Sequence, residues 1–119
     1  MPNLTTHQPA TDPNDLGRYF VDRANAGDVD GLVALYEPDA VLALDGTVLI
    51  GHAEIREAYE RLVAAAPTFE PGAESAPLIS GDLALTSTRL VDGGVTVEIA
   101  HRQPDGSWLW AIDQPNVLS

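Results

Sequence analysis

The feature that most constrains this chain is a change of period at Pro67. Before it, apolar residues recur at helical spacing. After it they alternate, and Gly- and Pro-rich turns cut the chain into short runs. Helices gathered in one half and strands in the other predict an α+β domain, with the helices on one face of a curved antiparallel sheet.

The first helix is expected to start at Asp12-Pro13, where Asp caps and Pro suits the first turn. Leu16, Tyr19, Phe20 and Ala24 form its apolar stripe, and Gly27 stops it. Asp28 can cap a short second helix that buries Val29, Leu32, Val33, Leu35 and Tyr36 and ends before Pro38. Ala40–Leu44 reads as a short strand, and "DGT" at 45–47 as a tight turn into "VLI". A third helix over about 53–66 carries Ile55, Ala58, Tyr59, Leu62 and Val63 on one face. Then come a Pro-interrupted edge strand over 68–80 and strands at 83–91, 95–103 and 107–113, joined by "DGG" and "PDG".

At 119 residues this is one domain, with residues 1–11 a loose polar tail and 12–119 the folded unit. Without cysteine there is no disulfide framework or thiolate chemistry, and three scattered histidines predict no metal site. Six Arg and no Lys against eighteen acids give a net charge of −12, which argues against nucleic acid and anionic membranes as partners. No apolar run reaches a membrane span and the start lacks a signal-peptide pattern, so a cytoplasmic location is expected.

The order of elements, with "GDVDGLVALYEPDAVL" followed by "GHAEIREAYERL", resembles the nuclear-transport-factor-2-like superfamily, in its ketosteroid-isomerase-like and polyketide-cyclase (SnoaL-like) branch. The resemblance runs from about Leu16 to Pro115 and includes Gly27-Asp28, Tyr36, Gly51 and the closing "DGSW…D-x-P". It implies a cone: a curved sheet wrapped around a long helix, enclosing a blind apolar pocket, with a homodimer formed through the outer sheet face. It also implies where isomerase residues would fall. A helix-1 tyrosine would be Phe20, a first-strand proton shuttle Leu44 and a second acid Ile99, so that constellation is absent and steroid-type isomerisation through it is not expected. The fold hosts many chemistries, so function must come from the site.

The closing hairpin, "HRQPDGSWLWAID", then decides the site. A type I turn with Pro104 leading and Gly106 left-handed pairs Gln103 with Ser107, His101 with Leu109, Ile99 with Ala111 and Val97 with Asp113. Because Ile99 aligns with a pocket position, its face is expected inward with His101 and Asp113. Trp108 and Trp110 would then lie outside as part of the dimer face. A two-residue turn would reverse this, bringing the indoles in and sending Asp113 out. A three-residue "DGG" loop places Arg89 beside Val97 within reach of Asp113, whereas a two-residue loop puts Thr88 there.

The expected ligand is therefore a small apolar molecule, with no cofactor. Asp113 would be the general base, raised in pKa by desolvation. Arg89, Tyr36 or His101 would polarise the substrate, and Phe20, Leu44, Tyr59, Phe69 and Ile99 would form the wall. The bland readings are an Asp113–Arg89 ion pair, a half-exposed His101, a core Tyr36 with a satisfied hydroxyl, an exposed helix-start His52 and a turn residue Asp45. Cofactor-free isomerisation, cyclisation or dehydration is one functional expectation, and a non-catalytic binding or dimerisation module is the other. An open pocket of a few hundred Å³ with at least two convergent polar groups separates them.

Overall fold

The computed structural model describes residues 7–118. Two helices precede the first hairpin, α1 (Asp15–Asn25) and α2 (Val29–Val33), and α3 (His52–Ala64) follows it. The strands are β1 (Tyr36–Leu44), β2 (Thr47–Ile50), β3 (Ala73–Glu74), β4 (Leu78–Ser80), β5 (Leu83–Arg89), β6 (Val95–Arg102) and β7 (Trp108–Gln114). They form one curved, unclosed sheet in the order β2-β1-β7-β6-β5-β3, with β4 also on β5. All pairs are antiparallel except β1 with β7, so the C-terminal strand lies parallel beside the first.

Local chemistry sets most of these limits. Asp28 Oδ1 accepts the Gly31 N–H at 2.9 Å and caps α2. Asp45 and Gly46 both have positive φ, 51° and 80°, the geometry of a type I′ hairpin turn, and Leu44 pairs with Thr47 across it. The expected long strand over 68–80 is two short edge pieces on β5, because Pro71 and Pro77 cannot donate to a ladder. Tyr36 was expected on α2. It instead opens β1, and its ladder partner is Trp110. The helix stops one turn earlier than its apolar spacing suggests, because a strand alternation over 36–42 buries Tyr36, Ala40 and Leu42 equally well.

Within the expected tail, residues 1–6 lie outside the described residues, but 7–10 are tied down. Ala10 is buried, its carbonyl accepts the Trp108 N–H at 2.9 Å, and His7 Nε2 lies 2.8 Å from Asp28 Oδ2. The core lies between the helices and the inner sheet face and includes Leu16, Leu32, Leu35, Tyr36, Leu42, Ile55, Tyr59, Trp108 and Trp110.

The last hairpin turns as expected: Gly106 is left-handed at φ 88°, Gln103 and Ser107 are hydrogen bonded, and His101 pairs with Leu109. Beyond that the ladder slips. Ala100 pairs with Trp110 but Ile99 pairs with Ile112, leaving Ala111 as the extra residue of a β-bulge. The slip moves Asp113 from the expected Val97 partner to Glu98. Trp108, Trp110 and Asp113 therefore all face inward, an arrangement neither regular register allows. The expected inward face is overturned: Ile99, His101 and Leu109 point outward, and the indoles are core rather than dimer face. The "DGG" loop also sits one residue off. Leu90 and Gly94 close it and Arg89 pairs with Val95, so Arg89 is exposed and does not flank Asp113.

Candidate functional site

The inner face of the sheet and the helices enclose a cavity of about 890 Å³, within the ~300–1,000 Å³ typical of small-molecule sites. Each wall has a separate origin in the sequence. α1 contributes Phe20 and Val21, the β1–β2 hairpin Leu44 and Leu49, and α3 Ala58, Tyr59 and Leu62. Phe69 comes from the chain after Pro67, Leu90 from the loop after β5, and Glu98, Trp110 and Asp113 from the sheet. Phe20 sits at the centre of the aromatic lining, 5.3 Å from Phe69 edge-on, 6.1 Å from Tyr59 and 6.4 Å from Trp110 between ring centres. Most of the lining residues that also face solvent are charged: Arg18, Asp22, Asp45, Arg61, Glu70 and Glu74.

One polar cluster stands in this apolar wall. Asp113 is 6% exposed. Its Oδ2 accepts the Tyr36 hydroxyl at 2.5 Å, and the Tyr36 and Tyr59 hydroxyl oxygens lie 2.6 Å apart. Burial first, and then the neighbouring charge of Glu98, raise the Asp113 pKa to about 7, against the opposing pull of the Tyr36 hydrogen bond. Glu98 is directly opposite Asp113 on β6, a pairing that brings Cβ atoms to ~5 Å. Its own pKa is raised by burial, against hydrogen bonds from Thr96 and Thr86; the Thr86 hydroxyl donates to Glu98 Oε1 at 2.7 Å. Burial also lifts both tyrosines, Tyr36 well above the ordinary phenol value, with the Asp113 charge acting in the same direction. Trp110 is 4% exposed, and its Nε1–H has no acceptor among the described residues.

Of the expected catalytic residues, the fold brings Asp113 and Tyr36 together and leaves the other two out. Tyr36 is both a core residue and part of the cluster, although it is not in the cavity lining. His101 lies on the outer face, its Nδ1 2.8 Å from Glu37 Oε2, because the bulge falls after the residues that orient it. Arg89 is exposed at a loop edge. Of the expected wall, Phe20, Leu44, Tyr59 and Phe69 line the cavity and Ile99 does not. Asp45 lines the cavity from its turn, and half-buried His52 donates from Nε2 to the Tyr36 carbonyl at 2.8 Å. Sequence reasoning missed Glu98, Thr86 and Trp110. Thr86 and Glu98 alternate with buried Ala84 and Ala100 along β5 and β6, and Trp110 is the ladder partner of Ala100, which places all three on the buried face. Among the described residues no three His, Asp or Glu side chains converge as a metal site, and no helix is long and apolar enough to cross a membrane.

Helices packed into a curved sheet around an aromatic cavity define the nuclear-transport-factor-2-like class of α+β domains. Within it, residues 17–112 match the SnoaL-like domain, and the chain belongs to that family. No curated protein matches it in sequence. Solved structures share the fold. A ketosteroid isomerase-like protein from Erwinia carotovora atroseptica is 20% identical over 85% of this chain and 89% of its own, with TM-score 0.69. A candidate dehydratase of the NTF2-like family from Streptomyces avermitilis is 20% identical over 89% and 94%, with TM-score 0.68. A candidate calcium/calmodulin-dependent kinase II association domain from Thiobacillus denitrificans is 14% identical over 92% and 98%, with TM-score 0.74. At these identities the likeness speaks for the fold alone.

Proposed function

We propose that the cavity binds a small, uncharged, largely apolar molecule and that Asp113 transfers a proton on it without a cofactor. The observation that carries this reading is one buried carboxyl, with a pKa of about 7, in an aromatic wall. A group half ionised near neutrality serves as base in one step and as acid in the next. Asp113 would take a proton from carbon beside a carbonyl and return it at the same or a neighbouring atom. The Tyr59 hydroxyl, on a residue that lines the cavity, is the group nearest the cluster that can meet the carbonyl oxygen, where charge develops. Isomerisation and dehydration both begin with such a step. The size of the cavity and the convergence of Asp113, Glu98 and Tyr59 favour this over a filled, purely structural module.

The test is deuterium uptake at the α-carbon of small neutral ketones in D₂O, followed by NMR. The ionised form is the base, so the rate should rise about tenfold per pH unit below pH 7 and level off above it. Exchange that no ketone of a broad panel shows, or that Asp113→Asn leaves undiminished, rejects the assignment.

We further infer that a second copy covers the outer sheet face, as the family resemblance implies, though not through the indoles. An unbroken apolar row crosses six strands there: Leu78, Leu85, Ile99, Ile112, Val41 and Ile50, each the ladder partner of the next. At ~4.8 Å per strand the row runs ~24 Å, close to the breadth of a standard interface side of ~800 Å². A two-fold contact lets the row cover itself. Leu78, Leu85, Ile112 and Ile50 are all at least 40% exposed in the single chain. Sedimentation should show a dimer at tens of micromolar, and Ile112→Arg should make it monomeric. A wild-type monomer at that concentration would refute the inference.

A further inference from the structure

The Tyr59–Tyr36–Asp113 cluster has a direction, and its proton count allows that direction to reverse. Three oxygens are joined by two short links, 2.6 and 2.5 Å, and all three residues are buried. With Asp113 ionised the chain holds two protons for two links. A carboxylate only accepts. Tyr36 therefore donates to Asp113, Tyr59 donates to Tyr36, and the Tyr59 oxygen keeps only lone pairs for anything in the cavity. With Asp113 protonated there are three protons for the same two links. Asp113 can then donate to Tyr36, Tyr36 to Tyr59, and the Tyr59 O–H is released. Tyr59 lines the cavity and Tyr36 does not, so the released donor emerges at Tyr59.

We propose that Tyr59 is the ligand-facing end of this chain, and that the protonation state of Asp113 sets whether the cavity offers a ligand a hydrogen-bond donor or an acceptor there. The proposal rests on the reading of the cavity as a small-molecule site and names its ligand class. The cavity takes neutral bicyclic-sized molecules carrying one polar atom, acceptors such as ketones when Asp113 holds its proton and N–H or O–H donors when it does not. The switch falls near neutral pH, where burial has brought the Asp113 titration. Turnover is not required.

The charged and titratable groups around Asp113 are few enough to name. Glu98 faces it from β6, and burial raises its pKa as well. Tyr36 faces it from β1 and Tyr59 from α3, both protonated throughout because their pKa values are raised. Farther along the lining are Arg61 on α3, Arg18 and Asp22 on α1, Asp45 in the hairpin turn, Glu70 in the chain after α3, and Glu74 on β3. Arg18 is ion-paired to Asp15 and Glu74, and Arg61 to Glu57.

Two probes of nearly equal shape test this. 1-Indanone only accepts a hydrogen bond and indole's N–H only donates; neither changes charge between about pH 5.5 and 9. Affinities are read by NMR titration of the labelled protein. One hydrogen bond gained or lost predicts that indanone affinity falls about five- to tenfold across the Asp113 titration while indole affinity rises by a similar factor. In Tyr36→Phe the chain is cut and both curves should flatten, and in Tyr59→Phe the crossing should also shrink. The two variants report independently should one of them fold poorly. Asp113 also lines the cavity, so a residual pH effect of its own is expected in every variant; affinities that stay parallel, or a crossing as large in Tyr36→Phe and Tyr59→Phe as in the wild type, overturn the proposal while the cavity reading stands. Failure of both probes to bind at any pH sinks the two together.

Discussion

Replacing Asp113 with Asn should make the protein more stable at pH 8 and remove its proton-transfer chemistry. An aspartate in the unfolded chain titrates near ~4, and in the fold Asp113 is raised to about 7. Below pH ~4 both states hold the proton and the group makes no difference to stability. Between ~4 and 7 the unfolded chain ionises while the folded chain does not, so stability falls as pH rises. Above 7 both are ionised and the full cost, on the order of 4 kcal/mol, is present. The asparagine side chain carries no charge to bury and can still accept the Tyr36 hydroxyl. Its amide N–H groups lack an evident acceptor, which returns ~1–3 kcal/mol. The net gain should be about 2 kcal/mol at pH 8 and should vanish or reverse near pH 4, where Asp113 is already neutral. Urea denaturation at the two pH values measures it. Part of the wild-type pH dependence should persist in the variant, because Glu98 is also buried with a raised pKa. A variant no more stable than wild type at pH 8 would mean that Asp113 is not strained by its burial. The same variant should lose about 10²–10⁴-fold in α-proton exchange, the range a positioned general base supplies.

Trp110→Ala should cost about 3–5 kcal/mol, a large part of the roughly 5–15 kcal/mol that holds a domain of this size. The indole is 4% exposed, packs 5.2 Å from Tyr36 and 6.4 Å from Phe20 between ring centres, and closes the cavity wall. The alternative suggested by the unbulged hairpin, an indole on an outer dimer face, predicts the reverse: a nearly unchanged monomer and a weakened dimer. Chemical denaturation and sedimentation on the same variant separate the two. Trp110→Phe keeps most of the packing and removes the N–H, so it should retain most of the stability. A Trp110→Ala protein within about 1 kcal/mol of wild type would contradict the inward placement.

Much of the architecture was legible because it is written locally. Asp28 caps, Gly27 and Gly106 turn, Asp45-Gly46 closes a hairpin, and the switch of period at Pro67 separates helices from strands. These signals need only neighbours in the chain. The wall residues Phe20, Leu44, Tyr59 and Phe69 were legible for a related reason: an apolar stripe on a helix or strand has to face the core, whatever its partner. Tyr36 was assigned to the wrong element because a residue at the end of a helical pattern can equally begin a strand pattern, and the choice is made by the ladder with Trp110.

The sequence by itself determined the class of fold, the turns and the acid at the end of the last strand. Only the tertiary structure decided what that acid meets. No Gly or Pro announces the bulge at Ala111; it forms because the inner face must hold Trp108, Trp110 and Asp113 at once while β7 pairs β6 on one side and β1 on the other. A strand has two faces and a period of two, so one extra residue exchanges every side chain beyond it. That single slip turned His101 and Ile99 outward relative to Asp113, brought Glu98 beside it, and placed its carboxylate under the hydroxyl of Tyr36, 77 positions away in the chain.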